Sequence, residues 1–114
     1  ASEESPADFA AAPANFRSRA FRVPGKVFYV GKTDDGKTWI QIADTASPPH
    51  YINGSFAGTL PAGVTKGADV LVTGIGAGLT TITAANGNEY DEPYIDPVQK
   101  IELSAASSAT TPAP

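Results

Sequence analysis

The chain reads as an all-β domain, a small barrel of roughly five or six short strands, and three observations predict it. Residues Arg22–Asp44 hold two runs rich in β-branched and aromatic residues on either side of Asp34-Asp35-Gly36, the pattern of a β-hairpin. Further strand-sized runs follow as far as Leu103, separated by Pro, Gly and Asn-Gly turn signals. Gly74, Gly76 and Gly78 interrupt one such run, as glycines do at bulges and at the sharp bends that close small barrels.

A length of 114 residues sets a limit of one domain. Residues 19–103 are assigned to the barrel, 1–18 to an Ala/Pro-rich leader with at most one short helix, and 104–114 to a disordered Ala/Ser/Thr/Pro tail. With no cysteine, disulfides, thiolate catalysis and zinc-thiolate sites are excluded. No apolar run is long enough to span a membrane. The chain has no methionine, even at position 1, so it is expected to be a processed or trimmed product. Its start, Ala1-Ser2-Glu3-Glu4-Ser5, suits a mature chain after signal-peptide cleavage. A net charge of −4, with eight Lys and Arg, disfavours nonspecific nucleic-acid binding, which depends on neutralising phosphates.

In the leader, Ser5-Pro6-Ala7-Asp8 has a hydroxyl cap, a first-turn proline and an acid, the marks of a helix start, and Pro13 stops that helix early. Phe9 and Phe16 either dock the leader or are stray aromatics of a mobile segment. In the hairpin, a three-residue loop Asp34–Gly36 with Gly36 left-handed pairs Val30 with Ile40 and Phe28 with Ile42. That register gives one apolar face and a second face displaying Tyr29, Gln41, Trp39 and Gly31, with Trp39 over the glycine.

Pro48 and Pro49 mark a loop. His50–Phe56 reads as a third strand, with a break at Asn53-Gly54. Residues 59–67 contain Pro and two Gly and form a connector. Asp69–Ile75 is a fourth strand, Leu79–Thr83 resumes it after the glycines, and Asn86-Gly87 is a turn. Tyr94-Ile95 and Val98–Leu103 close the domain.

Three of these features together resemble the OB fold. They are the hairpin Gly25–Asp44, the Lys66-Gly67 lead-in to the strand at Val70, and the closing strand Val98–Leu103. Members of that family often carry a helix between the third and fourth strands; here the segment 59–67 is rich in Pro and Gly, and a small SH3-like barrel and an incomplete sandwich are the rival folds. The resemblance implies a Greek-key barrel whose ligand face lies around its second and third strands. By position that face includes Tyr29, Trp39, Gln41 and Tyr51, flanked by Asp34, Asp35 and the Asn86–Glu92 loop with Asn88 and Glu89. If the leader packs at all, it is expected to cover this face.

Other candidates carry less. Glu89, Asp91, Glu92 and Asp96 lie close together but lack the EF-hand pattern, so they read as a solvated acidic loop. His50 has no catalytic partner, and no helix follows Gly74-x-Gly76-x-Gly78 to hold a phosphate. Asn53-Gly54-Ser55 is a formal glycosylation sequon, without meaning if the source is bacterial. No catalytic residue, metal or cofactor is expected.

The acidic charge and the tails resemble those of small exported bacterial OB-fold proteins. The expectation is therefore a periplasmic or secreted, non-enzymatic module with a protein or carbohydrate partner, such as an envelope assembly. The alternative is a single-stranded nucleic-acid-binding OB domain, with Arg17, Arg19, Arg22, Lys26, Lys32 and Lys37 as a basic stripe beside Tyr29 and Trp39.

Overall fold

A computed structural model describes residues 2–83 and 85–103. The tail at 104–114, expected to be disordered, lies outside the described residues. In chain order the elements are β1 (Ser2–Glu3), α1 (Pro6–Ala11), a 3-10 turn (Pro13–Phe16), β2 (Ala20–Lys32), β3 (Thr38–Ala43), β4 (Tyr51–Phe56), β5 (Asp69–Thr83) and β6 (Glu89–Leu103). The strands hydrogen-bond in the order β1-β2-β3-β4-β6-β5, and β5 pairs back onto β2. Five strands thus close into the Greek-key barrel expected from the sequence, with every pair antiparallel except β4–β6 and β1–β2.

β2 explains how one strand serves two neighbours. Its first half pairs with β5 (Phe21 with Gly74, Val23 with Val72) and its second half with β3 (Val30 with Ile40, Gly31 with Trp39). In the first half the core residues are Phe21, Val23 and Val27, all at odd positions. The hairpin, whose turn carries Gly36 at φ 85°, brings even-numbered Val30 opposite the buried Ile40. A period-2 strand cannot satisfy both parities, and a bulge between Val27 and Tyr29 resolves the conflict. The expected pairing of Phe28 with Ile42 is therefore corrected: Val27 faces Ile42, Tyr29 faces Gln41, and Phe28 is the extra residue. Its ring leaves the core face and is 45% exposed.

Two glycine signals also read differently in the fold. The expected break at Asn53-Gly54 is absent, and β4 runs through it. Gly54 lies where β6 crosses closely, since a Cβ there would approach Val98 Cγ2 to 2.6 Å. β5 likewise continues through Gly74–Gly78, with register shifts on β6 at each step and Gly78 at φ 82°. β5 pairs with β2 only as far as Ile75, so the far arm of the β5–β6 hairpin, Leu79–Thr83 against Glu89–Pro93, is paired only with itself among the described strands.

The leader is an integral part of the core. Ser5 accepts a hydrogen bond from the Asp8 N–H and caps α1. Phe9 is fully buried and α1 packs against β2, β4 and β6, so it closes one barrel end. Phe9, Phe16 and Phe21 meet pairwise with ring centroids 4.9–5.1 Å apart. The 3-10 turn is held by backbone bonds to Gly76, which donates to the Arg19 carbonyl and accepts from Ser18. This corrects the expectation that a docked leader covers the Tyr29/Trp39 face. The connector adds Val64 and Leu60 to the core, and no described helix lies in it.

Candidate functional site

The bulge creates the site. It places the side chains of Phe28 and Tyr29, consecutive residues, on the outer surface of the barrel. The Phe28 ring packs edge to face against Tyr51 from β4, with centroids 5.0 Å apart. Lys66 Nζ stands 5.5 Å from the Phe28 ring centroid, a cation–π arrangement. Its backbone is fixed there because the next residue, Gly67, donates to the Val27 carbonyl while Val27 donates to Ala68. Opposite this shelf, the β5–β6 arm supplies Ile82, Thr83 and Tyr90. Between the two walls lies a cleft of about 730 Å³, with Gln41 and Glu92 among its lining residues. Tyr29 is 54% and Tyr90 48% exposed, so ring faces remain open to a ligand.

A partly buried polar chain underlies the cleft. The Trp39 indole N–H donates to Asn53 Oδ1 at 3.2 Å. An indole can only donate, so the Asn53 carbonyl must face it and the Asn53 amide N–H₂ must point the other way. That amide donates to Glu92 Oε1 at 2.8 Å, and Gln41 Nε2 donates to the same oxygen at 2.8 Å. Asn53 is 1% exposed and no buried side-chain polar atom among the described residues lacks a partner.

Trp39 stacks on Tyr94 with centroids 5.3 Å apart and does not cover Gly31, a position taken by the Tyr29 ring. Burial and the nearby Asp96 carboxylate, to which its hydroxyl donates at 3.3 Å, raise the Tyr94 phenol above its ordinary value.

The expected residues divide accordingly. Tyr29, Gln41 and Tyr51 line the cleft together. Trp39 supports its floor through Asn53. Asp34 and Asp35 sit in the β2–β3 turn, where Asp35 accepts from Thr33 and pairs with Lys37 at 3.7 Å. The Thr33 hydroxyl first of all, then the Lys37 N–H and ammonium, hold the Asp35 carboxyl below its usual range against opposing desolvation. Asn88 and Glu89 are exposed near the tip of the β5–β6 hairpin and do not line the cleft.

Sequence reasoning left Phe28 and Lys66 out of the site, and it placed Tyr90 and Glu92 only in the flanking 86–92 loop, without a role of their own. Its acidic cluster is dispersed: Asp91 pairs with Thr81, Glu92 holds Gln41 and Asn53, and Asp96 meets Tyr94. Among the described residues no group of acids and His is placed to hold a metal. His50 instead closes its own loop, with Nδ1 2.6 Å from Asp44 Oδ2. Burial alone would raise the Asp44 carboxyl, but the His50 N–H, the His50 ring and the Ala46 N–H outweigh it and hold it below its ordinary value.

The expected basic stripe is also partly neutralised. Lys26 pairs with Asp69 at 3.0 Å, Arg19 with Glu4 at 3.6 Å and Lys37 with Asp35. Lys32 donates to Thr38 at 3.3 Å and, like Lys66, makes no salt bridge among the described residues.

No protein-family model and no curated protein matches the chain. Among solved structures it is similar to the crystal structure of the small single-stranded DNA-binding protein from Streptomyces coelicolor. The TM-score is 0.57 at 16% identity, over 79% of this chain and 97% of that one. With the strand order above, that likeness establishes the OB fold. It also corrects the main functional expectation. The solved structure it resembles is a single-stranded DNA-binding protein, which favours the nucleic-acid alternative over a module with a protein or carbohydrate partner.

Proposed function

We propose that this protein binds single-stranded nucleic acid on the outer face of the barrel, as a binding protein that does no chemistry on its ligand. The observation that carries the reading is the convergence of Phe28, Tyr29, Tyr51 and Tyr90 on one open cleft. Bases stack on aromatic faces at about 1–3 kcal/mol each, with little dependence on sequence. Two or three stacked bases contribute about 2–9 kcal/mol, so micromolar affinity is roughly the upper limit of what stacking alone supplies. The single-stranded DNA-binding protein of similar fold supports the same reading.

The net charge of −4 shapes how such binding works. Lys66 sits beside the aromatic shelf and Lys32 further along β2, while most other cations near the hairpin are paired. Affinity then comes mainly from stacking. With about two phosphates neutralised, log K falls against log salt with a slope of roughly −1.4, far shallower than for a basic protein.

The test is fluorescence anisotropy with a labelled oligonucleotide of about ten nucleotides, across a salt series. Saturable binding with that shallow slope, weakened by Tyr29→Ala, is the expected result. Absence of binding at low salt, or binding untouched by Tyr29→Ala and Phe28→Ala together, would sink the proposal.

A further inference from the structure

We infer that Glu92 reads base identity in the cleft, accepting an N–H from a base edge and so favouring cytosine over thymine or uracil. This rests on the nucleic-acid reading above and adds a selectivity that stacking alone does not supply.

Glu92 lines the cleft beneath the aromatic walls. Its Oε1 is saturated from below by Gln41 and Asn53, at 2.8 Å each. Its Oε2 makes no hydrogen bond among the described residues. The polarity of the support is fixed, because the Trp39 indole orients Asn53 and Asn53 in turn can only donate to Glu92. A carboxylate pinned in this way presents one acceptor oxygen, and no donor, to whatever stacks above it.

The chemistry of bases then decides what fits. Cytosine offers its N4 amino group, which a glutamate accepts well. Thymine and uracil offer an N3–H flanked by two carbonyl oxygens, which crowd and repel a carboxylate. A negative group under the cleft also disfavours phosphate there, so the strand lies with bases inward and its backbone outward, on the side of Lys66. Glu92→Gln is informative because its remaining oxygen can still accept from Gln41 and Asn53, while its new amide N–H₂ faces the cleft as a donor. Thymine carbonyls then become the better partners.

The experiment compares dC and dT homo-oligomers at mildly alkaline pH, with the whole protein, by anisotropy. Wild type is expected to prefer dC roughly five- to tenfold, the size of one good side-chain–base contact. Glu92→Gln is expected to level or invert that ratio, an effect that a loss of fold, which lowers both affinities together, does not mimic. A dC oligomer carrying N4,N4-dimethylcytosine, which removes the donors and leaves the protein unaltered, is expected to bind like dT. Equal affinity of wild type for dC and dT, or a preference that survives Glu92→Gln, overturns the inference and leaves nucleic-acid binding standing. Failure of both homopolymers to bind overturns the two together.

Discussion

At the closed end of the barrel, Phe9 meets Phe16 and Phe21 edge to face, those two rings tilt against each other, and the three exclude solvent, while on its outer face Phe28, Tyr29 and Tyr90 stand about half exposed around a cleft with polar groups beneath. Residue type does not separate the two groups, since Phe21 and Phe28 share one strand. Geometry does. Phe21 lies where β2 alternates regularly against β5, and Phe28 is the residue left over where β2 changes partner to β3. Regular alternation makes core, and the interruption makes a binding surface.

The comparison breaks most visibly from the closed end. Phe9→Ala removes a fully buried ring and is expected to cost about 3–5 kcal/mol in denaturant unfolding, while the folded fraction binds oligonucleotide as before. An equal loss of affinity in the folded fraction would show that the two regions are not separate. Gly76→Ala tests the docking of the leader, because a Cβ there overlaps the Phe16 carbonyl oxygen. Its expected cost is about 1–3 kcal/mol, with faster proteolysis of residues 2–18.

On the outer face the balance reverses. Phe28→Ala is expected to change stability by less than about 1 kcal/mol and to weaken oligonucleotide binding by about 1–3 kcal/mol, read by anisotropy. The smallest effect belongs to the Asp44–His50 loop. Asp44 has a folded value below its ordinary 3.8, so its stabilisation is complete above 3.8 and disappears as pH falls through the lower value. Asp44→Asn is expected to flatten that part of an acid titration followed by Trp39 fluorescence. An unchanged acid limb would assign it to another carboxylate.

These contrasts also show what the sequence made legible. Local chemistry was readable: Gly36 in its left-handed turn, Val30 opposite Ile40, Tyr29 opposite Gln41, the Ser5 cap and the Asn86-Gly87 turn. The position of Phe28 was not readable from the hairpin alone, because the bulge depends on Val27 bonding to Gly67 and Ala68, about forty residues away. A signal was present nonetheless, in the parity switch of apolar positions from Phe21, Val23 and Val27 to Val30. Asn53-Gly54 misled because the pair favours turns, yet here Asn53 is recruited by Trp39 and Glu92 and Gly54 makes room for Val98. Glu92 looked like one acid among several. Its role emerges only when β6 comes to lie beside β4.

The Phe9–Phe16–Phe21 cluster carries a consequence for the order of events as the chain leaves the ribosome. All three rings lie within the first quarter of the sequence and need little loop closure to meet, so a hydrophobic knot is available early. The barrel itself cannot shut until Ile101 reaches Val72 and Val98 reaches Phe56, when nearly the whole chain has been made. Non-local pairing of this kind is slow, and an early knot shields the stickiest residues during the wait. Phe16→Leu is accordingly expected to retard refolding more than it accelerates unfolding, and stopped-flow kinetics showing the reverse would place the knot after barrel closure.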